Sequence, residues 1–190
     1  MTGASVAARA MAPVQGAREL RRLFGAFPSG VVAVCGMGEA GPVGMSASSF
    51  TSVSLDPPLV SVCVAHSSST WPLLRRMRHV GVSIFSHDQE HACRQLAAKS
   101  SDRFAGLDWQ AVDQGAVFLN PASAWFECRF EDRLPAGDHE IVLLRVLRAS
   151  RLEHPPLVFH SSRFRRLEHP AAEGPDEHQE SQYVNGRCGA

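Results

Sequence analysis

A glycine-rich segment, GMGEAG at residues 36–41, has the G-x-G-x-x-G spacing of dinucleotide-binding proteins. It follows a β-branched run, and Asp56 lies about 20 residues further on, where that motif uses a carboxylate. The chemistry requires a helix to begin directly after the glycines, because its N-terminus holds the pyrophosphate. Pro42 and Gly44 follow instead, with poor helix formers behind them. The sequence therefore favours a β-hairpin turned by these glycines over a Rossmann unit.

Two further groups of residues have types that carry chemistry. His87 and His91 have the i, i+4 spacing of metal ligands, but the segment lacks the glutamate of the zincin motif. We therefore expect no metal site. Asp138 and His139 follow Gly137, and their types alone are explained by a turn and the first residue of a strand.

Composition limits the class of protein. The chain has 190 residues with 44% hydrophobic content, which suits one domain with a real core. Nineteen basic and nineteen acidic residues give a formal net charge of zero, so we expect neither nucleic acid nor an anionic membrane as a partner. The sequence has no apolar run of membrane-spanning length and no signal-peptide pattern at its start.

The cysteines are odd in number, scattered and without a C-x-x-C pair, which disfavours a zinc site or a disulfide framework. We expect reduced thiols in a cytoplasmic protein. Those inside strand patterns should be packing residues. The strand-pattern cysteines are Cys35, Cys63 and Cys128, and the others are Cys93 and Cys188.

Composition also divides the chain along its length. Residues 1–16 and 169–190 contain little that can be buried, and we expect both segments to be flexible. The folded domain is predicted to span residues 17–168.

Strand patterns dominate this domain. β-Branched or alternating runs occur at residues 30–37, 43–50, 59–65, 80–86, 124–134 and 139–152. SLDPP at 54–58 is interpreted as a strand ending in a rigid turn, and PAGD at 135–138 as a hairpin turn. In the run at 124–134 alternation predicts two faces: Trp125, Glu127, Arg129 and Glu131 against Phe126, Cys128, Phe130 and Asp132.

Helical patterns are fewer. Leu20, Leu23 and Phe24 share one face of a predicted helix at 17–26, and a short helix is predicted within 69–77. Ser86 followed by Gln89 fits a capping box at the start of a third helix within 86–99. Many strands with a few helices predict a mainly β fold, a barrel that closes its own edges.

Four motifs in the same order resemble the flavin reductase family, the small reductase components of two-component flavin monooxygenases. They are GMSASSFTSVSLDPPLVSVCV (44–64), SSST (67–70), DRFAG (102–106) and GDHEIVLLRV (137–146). The resemblance implies an FMN-binding split β-barrel, usually a homodimer, in which NAD(P)H reduces a flavin. It spans about residues 20–168.

The resemblance also implies the site. A wall of small residues lets backbone N–H groups reach the polar rim of the flavin ring, and hydroxyls with an arginine hold its phosphate. On the residues alone, the sequence favours a solvated face or an N-cap for the serines and a surface charge for the arginine. The implied flavin-binding residues are Ser46, Ala47, Ser48, Ser49, Ser67, Ser68, Ser69, Thr70, Arg103 and Phe104. Asp138 and His139 are the implied NADH-binding residues, with His139, the catalytic candidate, against the nicotinamide.

Three positions depart from the family pattern. Ser46 replaces a threonine and keeps the hydroxyl, Ser162 replaces a glycine, and Phe164 replaces a tyrosine. The expected function is reduction of FAD or FMN by NADH, in preference to NADPH, to supply a partner monooxygenase. Two alternatives stay open: a split barrel that retains flavin for storage or electron relay, and a catalytically silent barrel that acts as an interaction module.

Overall fold

The computed structural model describes residues 13–100 and 102–167, so the predicted flexible tails lie outside it except for residues 13–16. Strands dominate, as the sequence predicts, and short helices lie between them. The helices are α1 (Ala17–Phe24), α2 (Trp71–Leu74) and α3 (Glu90–Ala97). The strands are β1 (Ser29–Gly30), β2 (Val32–Gly38), β3 (Gly41–Ala47), β4 (Thr51–Leu55), β5 (Pro58–Ala65), β6 (Val80–Phe85), β7 (Trp109–Ala111), β8 (Val117–Leu119), β9 (Ala122–Ala136), β10 (His139–Arg151), β11 (Leu157–His160) and β12 (Arg163–Arg166).

The main sheet has seven strands in the order β3-β2-β6-β9-β10-β5-β4, and every pair is antiparallel. β3 and β4 lie at opposite ends of this order, although they are consecutive in the chain. Between them, Ser49 Oγ accepts a hydrogen bond from the Cys63 N–H on β5 at 2.8 Å and donates to the Cys63 carbonyl at 3.2 Å. These bonds draw the segment after β3 towards β5, so the two ends of the sheet meet at a seam.

The glycine-rich segment forms the predicted hairpin. β2 and β3 pair with Gly38 opposite Gly41, which leaves a two-residue loop. Gly41 has φ +128°, a conformation that an L side chain rarely adopts. No helix follows, so the Rossmann interpretation is excluded. Asp56 lies in the loop between β4 and β5, as predicted for SLDPP, and not near this turn.

Both faces of the sheet are covered, because alternate residues of its strands enter different clusters. Val32 and Val34 of β2 belong to the first cluster, inside the barrel, together with valines of β5 and β6. Ala33 and Cys35 belong to the second, which packs against α3 and β8. The barrel therefore has an inner core and an outer layer that fixes α3 beside the sheet.

β9 and β10 form the longest hairpin, and its two-residue loop contains Gly137 with φ +67°. The predicted PAGD turn is confirmed at Gly137 and Asp138, whereas Pro135 and Ala136 still pair with β10 as part of β9. Phe126 and Cys128 of β9 pack into the inner core, in agreement with the predicted alternation. Glu127 on the opposite face is only 3% exposed. The alternation predicts a solvated side chain on this face, but Glu127 is covered, because His79 and Arg148 pair with its carboxylate.

The helices depart from the sequence predictions in three ways. α3 begins at Glu90 with Gln89 as N-cap, so Ser86 does not cap it. Ser86 instead pairs with Pro156, and its N–H donates to the Gln89 side-chain oxygen at 2.9 Å, which is half of the predicted capping box. α2 is reduced to four residues. α1 buries none of its residues, and Phe24 on its apolar face is 68% exposed.

The last two strands fold back onto α3. Arg166 of β12 donates to Asp88 at 2.8 Å, and the Arg94 guanidinium lies 4.9 Å from the centre of the Phe164 ring. β11 and β12 are joined by Ser161 and Ser162, which both have positive φ. Within the described residues, every helix is too short or too polar to cross a membrane.

Candidate functional site

A cleft of about 440 Å³ lies at the seam of the barrel, between the end of β3 and the end of β5. The loop after β5, the end of α3 and the start of β10 close its sides. All residues predicted from the sequence as ligand-binding line this cleft, except Phe104 and Asp138. The predicted residues in the lining are Ser46, Ala47, Ser48, Ser49, Ser67, Ser68, Ser69, Thr70, Arg103 and His139.

The wall after β3 has one serine whose hydroxyl is already used. Ser49 Oγ is bonded to both backbone groups of Cys63, so it holds the seam together. Ser46 and Ala47 are still paired with β2 and have small side chains. The edge of β3 that does not pair with β2 can therefore bring its backbone close to a flat ligand.

The loop after β5 presents hydroxyls and is stabilised from within. Ser68 N–H donates to the Ala65 carbonyl at 2.9 Å, and Ser68 Oγ accepts the Trp71 N–H at 3.2 Å. Ser68, and not Thr70, thus satisfies the start of α2. Because α2 has only four residues, its dipole contributes little, and the hydroxyls and a neighbouring cation must provide most of any attraction for an anion.

That cation is Arg103, which comes from the loop between α3 and β7. Its Nη1 donates to Thr70 Oγ1 at 2.6 Å and to the Gly44 carbonyl at 3.3 Å. The loop itself is held by Gln95 of α3, whose side-chain N–H group donates to the carbonyls of Arg103 at 3.3 Å and Ala105 at 2.8 Å. The arginine is therefore a fixed part of the cleft and not a surface charge.

Phe104 lies behind the cleft. It is 9% exposed and makes an edge-to-face contact with Trp109 at a centroid distance of 6.3 Å. A Cβ added to Gly44 would lie 2.8 Å from Phe104 Cζ and 2.5 Å from Cys35 Sγ. Glycine at position 44 is thus needed for Phe104 to pack. Because Phe104 directly follows Arg103, its packed ring anchors the loop at that arginine.

His139 lines the cleft beside the end of β5, because it pairs with Ala65 in the first register position between β10 and β5. Its Nδ1 lies 2.7 Å from Asp138 Oδ1. Since a carboxylate only accepts hydrogen bonds, Nδ1 carries the proton and Nε2 is left for a ligand. The hydrogen bond from the imidazole lowers the pKa of Asp138, whose side chain is 95% exposed outside the cleft. Asp138 therefore orients the histidine.

Several cleft residues were not identified from the sequence. Lys99 adds a second cation, and Cys63 is exposed in the lining, which contradicts its prediction as a packing residue. Cys35 and Cys128 are buried as predicted, and burial raises the pKa of the Cys128 thiol to about 12. The apolar part of the lining is formed by Met45, Val64, Ala65, Leu96 and Ala97. Cys188 lies outside the described residues.

The two histidines with metal-ligand spacing make no such site. His87 Nε2 pairs with its neighbour Asp88 at 2.9 Å. Among residues 13–100 and 102–167, His, Cys, Asp and Glu side chains form no cluster of three suited to a metal ion.

The cleft combines backbone and hydroxyl donors, a fixed guanidinium and an oriented imidazole on the seam of a small antiparallel barrel. This set suits a flat heterocycle with a phosphorylated tail. Residues 24–168 match the flavin reductase like domain family, more than half of the chain. The chain therefore belongs to the flavin reductase family, and the resemblance seen in its motifs is confirmed.

Individual relatives agree with this assignment. The reductase subunit of stachydrine N-demethylase from Rhizobium meliloti is 42% identical over 68% of this chain and 56% of the relative. An FMN reductase (NADH) from Agrobacterium fabrum is 38% identical over 80% of this chain and 87% of the relative. The chain spans about half the length of the curated relatives that it matches at 42% identity.

The fold also matches solved structures. The NADH:FAD oxidoreductase of Streptomyces globisporus, determined in complex with NAD and FAD fragments, superposes with a TM-score of 0.77 at 39% sequence identity. The match covers 82% of this chain and 94% of that one. The predicted split-barrel fold class is confirmed.

Proposed function

We propose that this protein is a flavin reductase that uses NADH to reduce FAD or FMN and supplies the reduced flavin to a partner monooxygenase. The observation that carries the proposal is the set of groups that one cleft brings together. Arg103 and the Ser67–Thr70 hydroxyls form an anion-binding end, and the small Ser46–Ser49 segment and His139 line the same cleft. A flavin mononucleotide unit carries the matching phosphate, ribityl chain and polar-edged ring.

At the anion-binding end, Arg103 neutralises the flavin phosphate while its bond to Thr70 keeps the guanidinium in place. Ser67, Ser68 and Ser69 add hydroxyl or backbone donors. Lys99 raises the positive potential of the same region.

Along the ring, the segment from Ser46 to Ser49 offers backbone N–H groups to the polar rim. Small side chains keep that approach open, and Met45 with Leu96 gives an apolar floor. Phe104 acts from behind the cleft by fixing the loop that carries Arg103.

From its place beside Ala65, His139 positions the nicotinamide through Nε2, and Asp138 holds the imidazole in the required tautomer. A bound flavin supplies the electron-accepting ring to which the dihydronicotinamide gives its hydride. Such a transfer depends on stacking and distance more than on an acid or base. We therefore assign His139 an orienting role, with NADH preferred over NADPH.

A homodimer is part of the proposal. Large apolar side chains remain exposed on a single chain, among them Leu55 at 96% and Phe130 at 39% on the main sheet and Phe24 on α1. A second copy of the chain would cover such side chains symmetrically. The protein is assigned to the cytoplasm because its described cysteines are all unpaired thiols.

The decisive experiment mixes the purified full-length chain with NADH and either FAD or FMN under anaerobic conditions. Loss of the flavin absorbance at catalytic protein concentration supports the proposal, and NADPH in place of NADH measures the preference. Flavin that copurifies but is not reduced identifies a storage or relay protein instead. Absence of flavin binding points to a catalytically silent barrel, and light scattering reports the oligomeric state.

A further inference from the structure

A second and larger cleft, of about 930 Å³, lies on the other side of Arg103. Its walls are the tip of the β2–β3 hairpin, the segment that follows α2, and the loop 102–104. Arg103 lines both clefts, so they are neighbours on either side of this arginine, whereas His139 lines only the first.

Cations are available in this second cleft. Arg76 and Arg78 are exposed in its lining, and neither guanidinium forms an ion pair with any residue that the structure describes. His79 is already held by Glu127 at 2.5 Å. Of the two acidic residues in the lining, Asp102 accepts the Phe104 N–H at 3.3 Å, and Glu39 lies on the hairpin tip.

Apolar surface accompanies these cations. Pro42 and Val43 of β3 and Leu73 and Met77 from the α2 region line the same cleft. A ligand that fills it must therefore combine a negative charge with a flat or apolar body.

We propose that the second cleft binds the adenosine monophosphate half of FAD, which makes FAD the preferred flavin. This inference rests on the proposed function. FAD and FMN share the ring, ribityl chain and first phosphate, and the extra half of FAD is bonded to that phosphate. It must leave the flavin cleft where the phosphate lies, at Thr70 and Arg103, and there the second cleft begins. Arg76 and Arg78 then face the second phosphate, and Leu73 and Met77 the adenine.

The test compares FAD with FMN by fluorescence titration of the full-length chain and of its Arg76→Ala and Arg78→Ala variants. Each variant should bind FAD about fivefold to tenfold more weakly, the loss of one partly exposed charge-assisted contact, and should bind FMN within about twofold of wild type. Arg75→Ala is the matched control, because Arg75 is also exposed on the same segment but lines neither cleft. It should change neither affinity. AMP should compete with FAD and not with FMN.

The outcomes separate this inference from the proposed function. Equal affinity of the wild type for FAD and FMN, or parallel losses for both flavins in Arg76→Ala and Arg78→Ala, overturns the second-cleft assignment. NADH-driven reduction of FMN would still support the flavin reductase in that case. A selective loss of FAD affinity without any reduction by NADH supports the second cleft and overturns the reductase. Failure to bind either flavin overturns both.

Discussion

Replacement of His139 by alanine tests the proposed role of this residue in orienting NADH. The side chain is 42% exposed, and its hydrogen bond to Asp138 lies at the surface, so the fold loses little. We expect the melting temperature to stay within about 2 °C of wild type. Flavin affinity should also be unchanged, because the lost contact belongs to the other substrate.

The size of the kinetic effect follows from what the alanine removes. Nε2 can form one hydrogen bond to the nicotinamide amide, and the ring adds a small contact area. Together these are worth about 1–2 kcal/mol, which corresponds to a decrease in kcat/KM for NADH of about fivefold to thirtyfold. Stopped-flow reduction of pre-bound flavin at varied NADH separates weaker binding from slower hydride transfer.

Two further variants identify the nitrogen that acts. Gln places its amide near the position of Nε2, and Asn places its amide near the position of Nδ1, which bonds to Asp138. His139→Gln should therefore recover part of the lost kcat/KM, and His139→Asn should not. The exposed His66, which does not line the cleft, provides the matched alanine control. A lower melting temperature with unaltered NADH dependence in His139→Ala would refute the orienting role and leave His139 a structural residue at the start of β10.

Three other changes have defined outcomes. Arg103→Ala should weaken flavin binding about tenfold, with Arg103→Lys intermediate, and unchanged titration curves would remove this residue from the site. Glu127→Gln should destabilise the fold by about 1–2 kcal/mol at pH 7, because the buried carboxylate pairs with His79 and with a largely exposed Arg148. The hydrogen bond from Arg148 lowers the pKa of Glu127 in the folded protein. The stability difference between wild type and Glu127→Gln should therefore be complete above about pH 4.3, the ordinary glutamate pKa, and should shrink as the pH falls through the lower pKa of the folded state. Thermal melts across this pH range measure the difference. Ser162→Gly should raise the melting temperature by about 1–4 °C, since it relieves a left-handed backbone in a two-residue hairpin loop; a lower value would contradict the strain argument.

The mainly β fold was predictable because its signals are local. β-Branched runs bounded by Gly, Pro and Asp mark β2, β5 and β6 within a residue or two. Gly137 likewise marks the two-residue loop of the β9–β10 hairpin. The Rossmann spacing at 36–41 was rejected for an equally local reason, the proline that follows. Strand order and the seam, by contrast, depend on contacts between residues far apart in the chain.

The misinterpreted elements are those in which distant contacts prevail over local pattern. Ser86 has the residue type and spacing of a cap, but it remains paired with Pro156, so the helix begins at Glu90. Alternation in β9 predicts an exposed face, and contacts from the distant His79 cover Glu127 on that face. Periodicity in α1 correctly places Phe24 on an apolar face but carries no information about what covers it.

The same limit explains which site residues were missed. The serine-rich stretches and Arg103 lie in motifs, so the resemblance predicts them as site residues without a structure, and they line one cleft. Gln95 is one of several polar residues on α3, and only the return of the loop 102–106 past that helix gives it two carbonyl partners. Cys63 has the pattern of a packing residue, and only the position of β5 at the cleft leaves its thiol exposed.

The location of the cleft follows from how the barrel closes. β3 and β4 are the edge strands of the seven-stranded sheet, and each pairs on one side alone within the part of the chain that the structure describes. Edge strands leave backbone donors without sheet partners, and a ligand with a polar rim can satisfy them. Ser49 fastens the seam at one point through Cys63, and the small residues before it keep the rest of that edge open. The seam that completes the fold is thus also the part of the sheet whose backbone groups lack sheet partners, and the residues predicted to bind the ligand converge there.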